Sequence, residues 1–397
     1  MVRKAARSQA SLRAANKALV LQTVQRWGGL TQVELAAATG LSPASVSTIV
    51  RDLFAAGVVE TATTTRNGRR AQLVTVSRRL GLAVGIQFGQ RHVHVQLSDF
   101  ALHPIAEHVL PLPHDHQVDT GLDRATLLMA DLLERVGASF EDVAGVGVAV
   151  PAPVEAGTST LSIEGVMPGW AGVDIAQTLS KRIGRPVYVD NDANLGALAE
   201  SVLGAGRDLR DVVYLRASYG TAVGVALAGA IHRGYAGIAG EIGHVLVDPQ
   251  GRMCRCGNRG CLDTVVGGAA LVESVRPVLG PLTLRDVVQR ANEGDPACTR
   301  VVADAGAQIG GVLAVVSLVV NPQVVLVGGE LAETGEVFLG PLRERIGRRV
   351  PANNVAPLQV LPAELGPRAE VMGAMLLALQ ATDVSVPAVL DLPVEVS

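Results

Sequence analysis

The stretch Val187-Tyr188-Val189-Asp190-Asn191-Asp192-Ala193-Asn194-Leu195-Gly196-Ala197-Leu198-Ala199-Glu200-Ser201-Val202-Leu203 changes character at its fourth residue. Three strand-forming residues end in Asp190-Asn191-Asp192, and an alanine-rich helical run, Ala193 to Leu203, follows at once. A strand that stops at polar residues and passes into a helix is the unit of an α/β domain, whose ligand cleft lies at such strand ends. The pattern recurs on both sides. Upstream, Leu82 to Gly89 and Val93 to Asp99 read as a hairpin or meander, and Val143 to Val150 reads as a buried strand. Downstream, Val212-Val213-Tyr214-Leu215 leads into Gly220-Thr221-Ala222-Val223-Gly224, and Val324 to Val327 runs into Gly328-Gly329.

Between these strands lie Gly240-Glu241-Ile242-Gly243-His244 and the loop Cys254-Arg255-Cys256-Gly257-Asn258-Arg259-Gly260-Cys261-Leu262-Asp263. Three thiols and an imidazole at these spacings can close a tetrahedral zinc site with ligands His244, Cys254, Cys256 and Cys261. Gly257 and Gly260 allow the sharp turns that let three sulfurs converge. Glu241 and Asp263 stand beside the ligands without being needed as ligands, so the zinc reads as a structural clamp that positions acids. A reduced, metal-free thiol cluster and a disulfide pair are the alternatives. Cys298, in a helical stretch, reads as an ordinary buried thiol.

A chain of 397 residues exceeds one hydrophobic core, and its 44 glycines with 18% charged residues suit a loop-rich α/β protein. The start, Met1 to Arg7, is not followed by an apolar segment, and no unbroken apolar run reaches membrane-spanning length. A cytoplasmic protein with no membrane partner is expected. The net charge of −3 conceals a division: residues 1–80 hold 12 Lys and Arg against three acids, and the remainder holds 22 against 34. A basic segment joined to an acidic one points to a polyanion partner for the first part only.

That basic segment carries its own signals. Ala15, Leu19, Val20, Leu21, Val24 and Trp27 have helical spacing and end at Gly28-Gly29. Thr31-Gln32-Val33-Glu34 is a capping box for a short helix ending at Thr39-Gly40, and Ser42-Pro43 opens a third helix with an inward face of Val46, Ile49, Val50 and Leu53. Ala44, Ser45, Ser47, Thr48 and Arg51 then face outward, near the helix N-terminus, where small and polar side chains reach base edges. Two strands flank Arg66-Asn67-Gly68-Arg69-Arg70, a hairpin turn whose arginines make a basic wing. Helices, wing and charge together read as a winged helix-turn-helix for double-stranded DNA; a small oligomerisation module is the plainer alternative.

The Asp190-Asn191-Asp192-Ala193-Asn194 turn, Gly240 to His244, the Cys-x-Cys-Gly-x-x-Gly-Cys loop and Asn321-Pro322 before a strand ending in Gly328-Gly329 resemble the ROK family of repressors, open reading frames and sugar kinases. The resemblance implies a two-lobed actin-like, ribonuclease-H-type α/β fold behind the winged helix-turn-helix. On that pattern residues 1–80 form the DNA-binding domain, and 81–381 a sensor domain whose lobes meet near 190–200 and whose C-terminal helix returns to the first lobe. Residues 382–397 read as a flexible tail. The resemblance also implies zinc at His244, Cys254, Cys256 and Cys261, and sugar contacts from Asn191, Asp192, Glu241 and His244. The acid after the last cysteine is usually glutamate in the family; here it is Asp263, one methylene shorter. Val166, before Met167-Pro168-Gly169-Trp170, stands where kinases often have asparagine.

In the family's kinases Asp192 would be the base that takes a proton from the attacking sugar hydroxyl. Here it reads as a vestige, because both nucleotide loops are altered. The Asp-x-Gly-Gly-Thr-Lys loop of kinases corresponds to Gln87-Phe88-Gly89-Gln90-Arg91-His92, and the second glycine-rich loop to Gly220-Thr221-Ala222-Val223-Gly224-Val225-Ala226. The expectation is therefore no enzymatic activity. A transcriptional repressor is expected whose zinc-containing domain senses a sugar, phosphosugar or other derivative and modulates binding to a pseudopalindromic operator, as a homodimer or homotetramer. An ATP-dependent sugar kinase that keeps a DNA-binding head, and a regulator answering to a protein partner, are the competing readings.

Overall fold

In helix α1 (Gln9–Trp27), Val20, Leu21 and Val24 are buried, whereas Ala15 and Leu19 face solvent, so its inward face is narrower than the spacing predicts. The computed structural model describes residues 9–382 apart from 28, 67–68, 78–80, 101, 115, 156 and 352–355. Strand β1 (Leu30–Thr31) runs directly into α2 (Gln32–Thr39). There the capping box closes as read: Glu34 N–H donates to Thr31 Oγ1 (3.3 Å) and Thr31 N–H to Glu34 Oε2 (2.7 Å). Ser42 caps α3 (Pro43–Ala55), which buries Val46, Ile49, Val50 and Leu53 as its pattern requires. Strands β2 (Val59–Arg66) and β3 (Arg69–Val76) pair antiparallel from Val59↔Val76 to Arg66↔Arg69, with β1 on the far side of β3. A last pair of Arg66 with Arg69 leaves two residues for the turn, as an Asn-Gly hairpin demands. Asn67-Gly68 themselves and the side chains of Arg66 and Arg69 lie outside the described residues.

Two sheets of identical topology follow. The first contains β4 (Leu82–Phe88), β5 (His92–Asp99), β6 (Pro104–Pro111), β7 (Val143–Val150) and β8 (Val187–Asn191), in the order β6-β5-β4-β7-β8. Its outer face is covered by α4 (Val118–Arg135) and α5 (Ile175–Ile183), whose Leu122, Met129, Ile175 and Leu179 pack against Val84, Val95 and Val146. Helix α6 (Asp192–Val202) leads to the second sheet: β9 (Val212–Ala217), β10 (Thr221–Leu227), β11 (Ala230–Ile231), β12 (Val324–Gly328) and β13 (Gln359–Pro362), in the order β11-β10-β9-β12-β13. In each sheet three antiparallel strands are followed by two parallel ones. The outer face of the second sheet is covered by α7 (Asp263–Val266), α8 (Gly268–Leu279), α9 (Leu284–Asn292), α10 (Pro296–Val320) and α11 (Glu336–Gly347).

Helix α12 (Ala369–Ala381) returns to the first sheet and lies on β4 and β7, while α6 lies on β9 and β10, so these two helices form a middle layer between the sheets. They touch at Gly373, where a Cβ would stand 1.9 Å from the carbonyl oxygen of Leu195. Thr382 is the C-cap of α12, its N–H and hydroxyl both donating to Ala378 O, at 2.8 and 2.7 Å. Residues 383–397 lie outside the described residues. Among the described residues, α10 is the one single helix long and apolar enough to cross a membrane, beside two bent helix pairs that reach that length together. Its Val302, Ile309 and Leu313 are instead buried in the core beneath the second sheet.

Candidate functional site

The turn from β8 into α6 is built by its own polar residues. Asp190 Oδ1 accepts the Asn191 N–H (2.7 Å) and Asn194 Nδ2 (3.1 Å), and Arg233 binds the other oxygen through Nε at 2.7 Å. Asn191 Oδ1 caps α6 by accepting the N–H groups of Ala193 and Asn194, at 2.9 and 3.2 Å. The capping role thus occupies the carbonyl of Asn191 and leaves its Nδ2 for a ligand.

Asn191, Asp192, Glu241, His244 and Asp263, distant in sequence, all line one cavity of about 180 Å³ between the lobes. Asp263 Oδ1 accepts the Thr221 N–H at 2.9 Å, which fixes the shorter acid against β10. Burial, together with the neighbouring charges of Asp192 and Asp263, pushes Glu241 up to about 8. Burial likewise raises Asp263 to about 6, against the hydrogen bonds from Thr221. Near neutral pH Glu241 therefore keeps its proton and can both donate and accept, so the crowded acids offer mixed partners that suit vicinal hydroxyl groups.

At one edge of the cavity the ligand atoms of His244, Cys254, Cys256 and Cys261 lie within 4.8 Å of one another. Gly260, at φ +70°, passes so close to Asp248 O (1.5 Å from an added Cβ) that only glycine fits this turn. All four cysteines are free, so the disulfide alternative falls away. Cys256 Sγ and Cys261 Sγ are 3.7 Å apart, and Cys254 Sγ is 3.5 Å from His244 Nδ1. A tetrahedral ion with metal–sulfur bonds near 2.3 Å and metal–nitrogen bonds near 2.0 Å sets these edges at about 3.8 and 3.5 Å. The donor set therefore fits a divalent metal. Burial and the adjoining Cys256 and Cys254 push the Cys261 thiol up to about 12, so ionising all three sulfurs needs a compensating cation. Burial also holds His244 below its ordinary value, in the neutral form that ligates.

The cavity is also lined by Gln90, Arg91 and His92 of the altered first loop, and by Tyr219 and Arg216, which sequence reasoning did not single out. The turn between β9 and β10 that faces it is Ser218-Tyr219-Gly220, because β10 already begins at Thr221. The glycine-rich loop read from Gly220 onward is therefore mostly strand. Arg91 lies over the Tyr219 ring, 5.8 Å from its centroid, and Gln90 and His92 line the same wall. Gln87 turns away from the cavity wall and donates to Glu370 Oε2 at 3.5 Å. Arg216, which also lines the cavity, is paired with Asp192 (Nε to Oδ2, 3.2 Å) and with Glu370 (Nε to Oε1, 3.1 Å). The signal for Arg216 was a charged residue inside the apolar run Val212–Ala217. Val166 lines the cavity as well, and beside it Trp170 is anchored by its Nε1–H to His116 O at 3.1 Å.

On the DNA-binding head, Ser47, Thr48 and Arg51 are exposed on α3 and Arg70 is exposed on β3. Ser45 lies on the same helix start. Its hydroxyl lies 2.9 Å from that of Ser42, and it is half-buried within the cap of α3.

Residues 83–381 match the ROK family, and residues 14–71 match the MarR family. A xylose repressor of Caldicellulosiruptor bescii is 27% identical over 388 residues, 93% of this chain and 96% of that protein. The N-acetylglucosamine repressor of Escherichia coli O157:H7 is 28% identical over 384 residues, 92% of each. Among solved structures, a ROK family transcriptional regulator described as a homologue of the E. coli MLC protein superposes with a TM-score of 0.74 at 22% identity, over 96% of this chain and 99% of that one. A ROK family glucokinase from Streptomyces griseus, in complex with glucose and AMPPNP, gives 0.68 at 27% identity, over 76% of this chain and all of the kinase.

Proposed function

The chain belongs to the ROK family, and from that premise we propose that it is a sugar-responsive, DNA-binding transcriptional repressor with no kinase activity. The observation that carries this reading is the asymmetry of the cavity. Asn191, Asp192, Glu241, His244 and Asp263 converge on it as hydroxyl partners, while Gln90, Arg91, His92 and Tyr219 fill the wall where a nucleotide phosphate would need bare glycine backbone. Relatives named as repressors that align over head and sensor together support the same reading.

In this reading the head reads a pseudopalindromic operator through Ser47, Thr48 and Arg51 and holds phosphates through Arg66, Arg69 and Arg70, with two heads supplied by a homodimer or homotetramer. Residues 1–80 are the head, 81–381 the sensor with lobes meeting near 190–200, and 382–397 the tail. His244, Cys254, Cys256 and Cys261 would hold a structural zinc, which ties the loop of Glu241 and Asp263 into one unit; the sugar, phosphorylated or not, is bound by the side chains. Ligand occupancy then favours one placement of the heads over another, which requires unequal affinity for the two.

The test is a thermal-shift and calorimetric panel of sugars and phosphosugars, with ADP release measured on the same samples. Stabilisation by one sugar class without sugar-dependent ADP release is expected. Turnover at ordinary enzyme rates would refute the repressor-only reading.

A further inference from the structure

Arg216 lies between two carboxylates that belong to different helices. Asp192 is the first residue of α6 and Glu370 is in the first turn of α12. One buried cation faces two buried anions, which leaves a negative charge to be met by other donors. Glu370 is well supplied: the Tyr214 hydroxyl donates to Oε1 at 3.1 Å and Gln87 Nε2 to Oε2 at 3.5 Å. Asp192 is not. Its Oδ2 is buried and, despite the nearby guanidinium, receives no aligned hydrogen bond, and the residue lines the cavity. The shortfall is on the ligand side.

We propose that Arg216 is a positioning residue that couples cavity occupancy to the DNA-binding head, by dividing its guanidinium between Asp192 and Glu370. A hydroxyl donated to Asp192 from the cavity replaces part of what Arg216 supplies there. Arg216 then moves toward Glu370, and α12 shifts against α6. This rests on the sugar-sensor reading given above.

The two helices that begin at these carboxylates end at the head. Ala199 and Val202 of α6 and Met375, Leu376 and Leu379 of α12 share one apolar cluster with Val20, Leu21 and Val24 of α1. With 11 and 13 residues, the helices are about 15–20 Å long. They touch backbone to backbone at Gly373, so a displacement between them is passed along the layer instead of being absorbed by soft side chains.

The experiment uses the full chain, an operator duplex that the wild-type protein selects from a random library, and glucose, xylose and N-acetylglucosamine as probes. In the wild type, one probe sugar changes operator affinity by about tenfold. Glu370→Gln keeps the size of a residue outside the cavity and, through its amide oxygen, the acceptor for Tyr214 and Arg216, but removes the charge that Arg216 shares and leaves Gln87 to turn its amide toward the new NH2. It is expected to hold sugar affinity within about twofold while the operator response falls below about twofold. Arg216→Lys also loses the response, because a flexible ammonium does not hold one donor between both carboxylates as the guanidinium Nε does. Unchanged sugar affinity with an unchanged operator response in Glu370→Gln overturns the coupling and leaves the sensor reading standing. No effect of any probe on the wild type overturns both.

Discussion

Cys256 is one of four side chains that could hold a metal, and removing it leaves three donors. Cys256→Ser is expected to lower zinc affinity more than about tenfold, to lower the unfolding temperature, and to abolish the effector response. Metal analysis of the purified variant checks this, and full zinc content would count against the clamp. Glu370 offers a different test at the same scale. Burial raises it to about 7 from an ordinary value of 4.5, with Arg216 opposing and Asp192 adding to the rise. Between those values the folded chain holds a proton that the unfolded chain has lost. Its contribution to stability is thus full below about pH 4.5 and is lost as pH rises through about 7. Glu370→Gln should flatten the fall in unfolding temperature over that window, and an unaltered slope would contradict the assignment. The convergence of His244 with the three cysteines was legible in the sequence because cysteine and histidine spacing is a local code. Arg216 was not, because its importance arises only when strand pairing sets β9 beside the start of α6.

At the scale of elements, close approach of α6 and α12 leaves no room at Gly373. Gly373→Ala should cost about 1–3 kcal/mol in denaturant unfolding, since the middle layer must part to admit one methyl group. On the head, Arg70→Ala is expected to weaken operator binding across all sequences and to reduce the slope of log affinity against log salt by about 1. Thr48→Ala should instead alter base preference with the slope retained; the same salt titrations on selected and scrambled duplexes separate the two. The starts of helices α2 and α3 were legible to the residue because their caps, Thr31 with Glu34 and Ser42 with Pro43, are written within four positions. The glycine-rich loop after β9 was misplaced by sequence reading, because Thr221 to Gly224 resembles a turn until β10 pairs with β9.

For the whole molecule, the separation of a basic head from an acidic remainder predicts that the sensor repels DNA while the head is drawn to it. Sedimentation of the free protein should give a dimer or tetramer, and footprinting should give two half-sites about one helical turn apart; a monomer protecting a single half-site would oppose the paired-head arrangement. The two sheets share one strand order, and this repetition has a mechanical result. Each central hairpin ends its ladder one residue beyond a polar side chain, Gln87 before Phe88↔Val93 in the first sheet and Arg216 before Ala217↔Thr221 in the second. Both side chains reach Glu370. Equivalent positions of the two lobes therefore grip a single carboxylate from opposite sides, which makes Glu370 a fulcrum. The lobes can turn about it, but to part there they would have to leave a buried acid without its donors.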